Sequence, residues 1–286
     1  MHKNRVKAVF LDIDGTLITR NGGPYQEDKE AMEEAAEKGH LLFLNTGRSL
    51  GNIPQALLDL PFLKGIAAGG GAHILMSGPP NVLPRYQTIY HKWIPEDALE
   101  KIIARYVKQS SYCALEGERD CYIINQSSFI RTAKASISVN SPEDFKRKSS
   151  GDLVTKLTLE GFISDDEYRF LEPFFTVNRF ADYTEAILKN ENKGNAAELI
   201  LNTVGIKRED SFAIGDSAND IDMFRFAGLG IAMGNASDEI KATAGAITGN
   251  CGEGGVAAAL RKFVLAEESR QSNLEAEQKK SRNAAN

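Results

Sequence analysis

The feature that most restricts this chain is an alternation of short, wholly apolar runs with amphipathic helical segments. Residues 7–11 (KAVFL) end at Asp12 and are followed by Gly15, which reads as a buried strand running into a turn. A helix is predicted over 26–38, where Met32, Ala35 and Ala36 recur at helical spacing and Gly39 supplies a C-cap; LLFLN at 41–45 is the next buried strand. The same order returns as a helix over 50–59 and a strand at 65–68, then as a helix over 193–204 and a strand at 211–214. Strands alternating with helices imply a parallel sheet covered on both faces, so the expected class is α/β. In such sheets ligands sit beyond the carboxyl ends of the strands, which directs attention to Asp12, Thr46 and Asp216.

The alternation is interrupted between residues 82 and 186, where runs such as CYIIN and VTKLTLEG make strands follow strands. That texture is α+β with antiparallel pairing and predicts a domain inserted into the first. The expected organisation is a core of residues 1–81 and 187–265, an insert of 82–186 and a polar, flexible tail of 266–286.

Composition removes several classes of function. A formal charge of −5 and the lack of a long basic run give no field for a nucleic-acid backbone. No stretch approaches the roughly 18 apolar residues of a spanning helix, and Asp12 and Asp14 interrupt the first apolar run, so no membrane partner and a cytoplasmic location are expected. The three cysteines read as free buried thiols, and the four histidines show no i,i+4 pair, which gives a zinc site little support.

Four segments carry the chemistry. Asp12-Ile13-Asp14-Gly15-Thr16 puts two carboxylates two positions apart at a strand tip, so that one can attack an electrophile while the other moves a proton; a turn built from Asp and Gly is the plainer explanation. Asn45-Thr46-Gly47-Arg48 offers a hydroxyl and backbone amides to an anion, or simply a cap and a turn. Lys193-Gly194-Asn195-Ala196 opens a helix with a lysine that opposes the helix dipole; it suits a nearby anion, although a solvated surface lysine is the usual case. Gly215-Asp216-Ser217-Ala218-Asn219-Asp220 sets hard oxygen ligands where the sheet opens, as Mg²⁺ prefers, or caps a helix. Gly252-Glu253-Gly254-Gly255 lacks the context of a dinucleotide loop and reads as a turn.

Taken in order, these segments resemble the four motifs of the haloacid dehalogenase superfamily, with DIDGT and GDSAND nearly complete matches, and the insert resembles the type IIB cap of its Cof-like sugar-phosphatase branch. The resemblance implies a Rossmann-like parallel core with an inserted α+β cap, and a Mg²⁺-dependent phosphomonoesterase acting on a small phosphate ester such as a sugar phosphate. It implies that Asp12 is the nucleophile, that Asp14 is the acid and base, and that Thr46, Gly47, Arg48, Lys193 and Asn219 bind the phosphate. The metal would be held by Asp12, the Asp14 carbonyl and Asp216, with Asp220 behind them. A phosphomutase of the same superfamily and a catalytically silent phosphosugar-binding module are the alternatives. One departure stands out: Ala68-Gly69-Gly70-Gly71-Ala72 occupies the place of an Asn-Gly-Ala segment, which removes any substrate contact from that asparagine.

Overall fold

The computed structural model describes residues 5–18, 22–78, 83–126, 136–180 and 182–266; the tail expected to be flexible lies, from residue 267 onward, outside them. The first strands are β1 (Ala8–Leu11), β2 (Leu41–Asn45), β3 (Leu63–Ala68), β4 (His73–Ser77) and β5 (Tyr86–His91). Then come β6 (Cys113–Gly117), β7 (Cys121–Ile124), β8 (Ser136–Ser138), β9 (Val154–Glu160), β10 (Phe175–Arg179) and β11 (Tyr183–Leu188). The chain closes with β12 (Ser211–Gly215), β13 (Leu229–Ala232) and β14 (Ala246–Ile247). One sheet has the order β14-β13-β12-β1-β2-β3-β4-β5 and the other β10-β11-β9-β6-β7-β8.

The first sheet is parallel across β1, β12, β13 and β14, as alternation with helices demands, and antiparallel across β3, β4 and β5. The reversal follows from Gly69–Gly71, whose φ angles of +61°, +65° and +103° fold the chain straight back onto β3. Strand β5 lies within the segment expected as the insert and pairs in this sheet. The helix expected over 50–59 is instead a 3₁₀ turn, Leu50–Asn52, and a single helical turn, Gln55–Leu58. Pro54 stands between them, and a residue before proline is driven out of the helical region; Ile53 has ψ 130°.

By contacts the chain divides into two compact units, residues 1–43, 61–64 and 197–286, and residues 44–60 and 65–196. In the first, Val9, Phe10, Leu11, Ile214, Ile231 and Met233 are fully buried, and Phe10 stacks on Phe43 at 5.4 Å. Each such side chain stabilises the fold by roughly 1.5–3 kcal/mol relative to exposure. In the second, the six-stranded sheet buries Cys113, Leu115, Leu157, Leu159, Ala186 and Leu188 against the helix Glu96–Gln109. The alternate residues of those strands, Ala114, Glu116, Lys156, Thr158, Glu185 and Ile187, point to the opposite face. Among the described residues, no helix is long and apolar enough to cross a membrane.

Candidate active site

The tips of two neighbouring parallel strands bring the acidic residues together. Strand β1 pairs with β12 from Ala8↔Ser211 to Leu11↔Ile214, and the Asp12 amide donates to the Ile214 carbonyl at 3.0 Å, so Asp12 and Asp216 leave the sheet side by side. Oxygens of Asp12, Asp216 and Asp220 lie within 4.8 Å of one another. Asp12 is 4% exposed, whereas Asp14, one step around a tight turn closed by the Gly15 amide on the Ile18 carbonyl at 2.9 Å, is exposed. A buried carboxylate at the centre and an open one beside it suit a nucleophile and a proton carrier.

The surrounding chain holds this geometry. Gly15 has φ +77°, and a Cβ on it would fall 2.2 Å from Asp216 Oδ2, so the carboxylate comes this close only because residue 15 has no side chain. Asp220 accepts from the Asp216 and Ser217 amides, both at 2.9 Å, which ties the loop after β12 into one turn. Asn219 is half-buried and meets the Ser217 hydroxyl at 3.0 Å. The set fits a hard divalent cation: hydroxyl and amide donors fix the carboxylates, and all the clustered ligand atoms are oxygens. The expectation put the Asp14 backbone carbonyl among the ligands and Asp220 behind them; among the carboxylates, those of Asp12, Asp216 and Asp220 cluster.

Two contributors were not singled out by sequence. The Thr16 hydroxyl donates to Asp216 Oδ1 at 3.4 Å, and Asn235 Nδ2 donates to the Gly15 carbonyl at 2.9 Å and to Asp216 Oδ2 at 3.4 Å. Asn235 follows β13, so applying the strand-tip rule to the run Leu229–Ala232 would have found it.

The other predicted residues lie in the second compact unit. Thr46 is 1% exposed at the end of β2; its amide donates to the Ala67 carbonyl at 2.9 Å and its hydroxyl accepts the Arg48 amide at 3.1 Å. Gly47 and Arg48 are half-buried, and Arg48 donates to the Asn52 carbonyl at 3.0 Å. Lys193 is 1% exposed, which excludes the solvated surface lysine. It begins the helix Lys193–Val204, and its carbonyl accepts from buried Asn45 Nδ2 at 2.8 Å. Gly71 contributes by close approach, since a Cβ there would meet the Asn192 carbonyl oxygen at 2.6 Å, directly before Lys193.

The second face of the six-stranded sheet carries charges out of water. Lys156 is buried, 2.5 Å from Glu185 and 3.7 Å from Glu116. Glu116 also accepts from Thr158 at 2.5 Å, Asn52 at 2.8 Å and Ser49 at 3.3 Å, which links this face to the loop after β2. Burial opposes ionisation of Glu116, but Lys156 and these donors outweigh it and hold its carboxyl below the ordinary value. Burial likewise works against the Lys156 ammonium, and the two carboxylates outweigh it, so its pKa is raised.

The haloacid dehalogenase-like hydrolase pattern matches residues 9–260. The chain belongs to that family. It is 27% identical over 281 residues to the 5-amino-6-(5-phospho-D-ribitylamino)uracil phosphatase YwtE of Bacillus subtilis, covering 88% of this chain and 96% of that one. The phosphatase YwpJ of the same organism is 24% identical and is covered completely. Among solved structures, the HAD subclass IIB sugar phosphatase BT4131 superposes with a TM-score of 0.73 at 27% identity, over 90% of this chain and 99% of that one. This family member is a phosphatase of the Cof-like, IIB-capped kind, as the four motifs led one to expect.

Proposed function

We propose that the protein is a Mg²⁺-dependent phosphomonoesterase that acts on a small phosphorylated metabolite of the sugar-phosphate kind through a phosphoryl-aspartate on Asp12. The observation that carries this reading is the buried Asp12 carboxylate, clustered with Asp216 and Asp220 at the tips of paired parallel strands, with Asp14 open beside it. An Asp12 oxygen attacks phosphorus; the bond from phosphorus to the alcohol oxygen breaks, and that oxygen takes a proton from Asp14. Water then attacks the phosphoryl group and gives its proton to Asp14, the bond to Asp12 breaks, and inorganic phosphate leaves. Lys193, Thr46 and the backbone at Gly47 and Arg48 bind phosphoryl oxygens, and Asn219 orients the group. When held by Asp12 and Asp216 with the Asp14 carbonyl, Mg²⁺ offsets the negative charge that nucleophile and substrate share.

Selection of the alcohol half is assigned to the insert within residues 82–186, since the four motifs address only the phosphoryl group. The similarity to a ribitylamino-uracil phosphate phosphatase and to a sugar phosphatase supports a polyhydroxylated leaving group of metabolite size. The test is phosphate release from a panel of sugar, polyol, nucleotide and cofactor phosphates. Small polyhydroxylated esters should be turned over well and phosphoproteins poorly, and Asp12→Asn should reduce release to background. Metal-dependent turnover surviving in Asp12→Asn would refute the nucleophile.

A further inference from the structure

We propose a second metal site, built from His73, His91 and Glu118 and suited to a borderline transition cation such as Zn²⁺. His73 opens β4 and His91 ends β5; eighteen positions apart in sequence, they are direct partners in the antiparallel register, with rings stacked at 3.8 Å and 8°. Glu118 follows β6 and brings a carboxylate oxygen to 3.6 Å from His91 Nδ1. One ligand atom from each of the three lies within 4.8 Å of the others.

The second observation is the state of the ring nitrogens. His73 is 2% exposed; its Nε2 meets the Thr88 hydroxyl at 2.9 Å, and its Nδ1 is buried with no hydrogen-bond partner. His91 Nε2 is also buried without a partner. An unmet buried polar atom costs about 1–3 kcal/mol, and each ring carries one. A cation that took a lone pair from each ring would relieve that cost. The hydroxyl on His73 Nε2 is the support that a ligating imidazole usually carries on its other nitrogen. Two imidazoles and one carboxylate suit Zn²⁺ with solvent in the fourth position, and Mg²⁺ would not choose them. At metal–nitrogen distances of about 2.0–2.1 Å the ligand atoms must draw together and the two rings must turn out of their parallel stack, because a metal lies in the plane of each imidazole that holds it.

An ion there would join the β4–β5 hairpin to the turn between β6 and β7, clamping the segment Lys92–Pro95 that leads into the helix Glu96–Gln109. The protein carries its own reporter, because its only tryptophan, Trp93, packs edge-on against His91 at 5.5 Å. The experiment titrates Zn²⁺ into the full-length protein with Mg²⁺ in large excess, following Trp93 fluorescence, and repeats the titration with Co²⁺, following ligand-field absorption. One equivalent is expected to bind, changing Trp93 emission and raising Tm. Asp216→Asn should leave this binding unchanged. Affinity should fall at least 10- to 100-fold in His73→Gln and in the more exposed Glu118→Gln, whose folding circular dichroism checks. No uptake by the wild type, or uptake lost in Asp216→Asn and kept in Glu118→Gln, would overturn the proposal.

Discussion

At the scale of single residues, the acidic site depends as much on what is missing as on what is present. Asp216 packs where the side chain of residue 15 would otherwise be, and the left-handed backbone of Gly15 keeps Asp14 in its turn. Gly15→Ala should therefore displace Asp216 and strain the backbone, costing at least about 1 kcal/mol in stability and raising the metal concentration needed for half-maximal turnover. Denaturant unfolding and a Mg²⁺ titration of phosphate release would measure the two effects separately. Cysteines give a different kind of test. Burial pushes Cys121 up to about 12 and Cys113 well above the ordinary thiol value, so neither should react with a thiol reagent at pH 8 until the protein unfolds. Early native-state labelling should be confined to Cys251, the least buried of the three, and rapid labelling of Cys121 would contradict its placement in β7.

Elements matter where strand periodicity assigns faces. On β6, β9 and β11 every second residue feeds an apolar core, and the opposite face concentrates Glu116, Lys156 and Glu185 out of water. Removing the ammonium alone leaves two buried carboxylates uncompensated, so Lys156→Met should destabilise the protein by about 3–5 kcal/mol at pH 7. The sign of its pH dependence follows from Glu116. Its folded carboxyl is held below 4.5, so its contribution is complete above that pH and is lost as the pH falls through the lower folded value. In Lys156→Met burial dominates at Glu116 and its carboxyl protonates readily, so the deficit should shrink on acidification below pH 4.5. Urea unfolding of both proteins at pH 7 and pH 4 would show this, and a deficit that grew at low pH would contradict the assignment.

For the molecule as a whole, a hard cation among oxygen ligands predicts how activity responds to metals. Phosphate release should vanish on chelation and return with Mg²⁺, and Ca²⁺ should restore it poorly because its larger and more variable shell disturbs in-line attack. Activity persisting in excess chelator would exclude a metal-dependent reaction. Zn²⁺ at the histidine site should raise Tm without substituting for Mg²⁺ in that assay, so the two metal responses are separable in one preparation.

Sequence alone determined the features that depend on local order. Strand-then-turn punctuation placed Asp12, Thr46 and Asp216 at strand ends, and because β1 and β12 pair in parallel, position along the strand became position in the site. The helix at Lys193 was legible for the same reason, since period is read within a short window. Tertiary structure decided what depends on partners distant in the chain. It buried Lys193 and Lys156, brought Asn235 to Asp216, and set His73 against His91, two histidines whose spacing means nothing until a hairpin pairs them. It also turned the glycines at 69–71 into a reversal that adds two antiparallel strands to a sheet expected to be parallel. Burial and pairing are energies of the folded chain, and one window of sequence holds only one of the partners that set them.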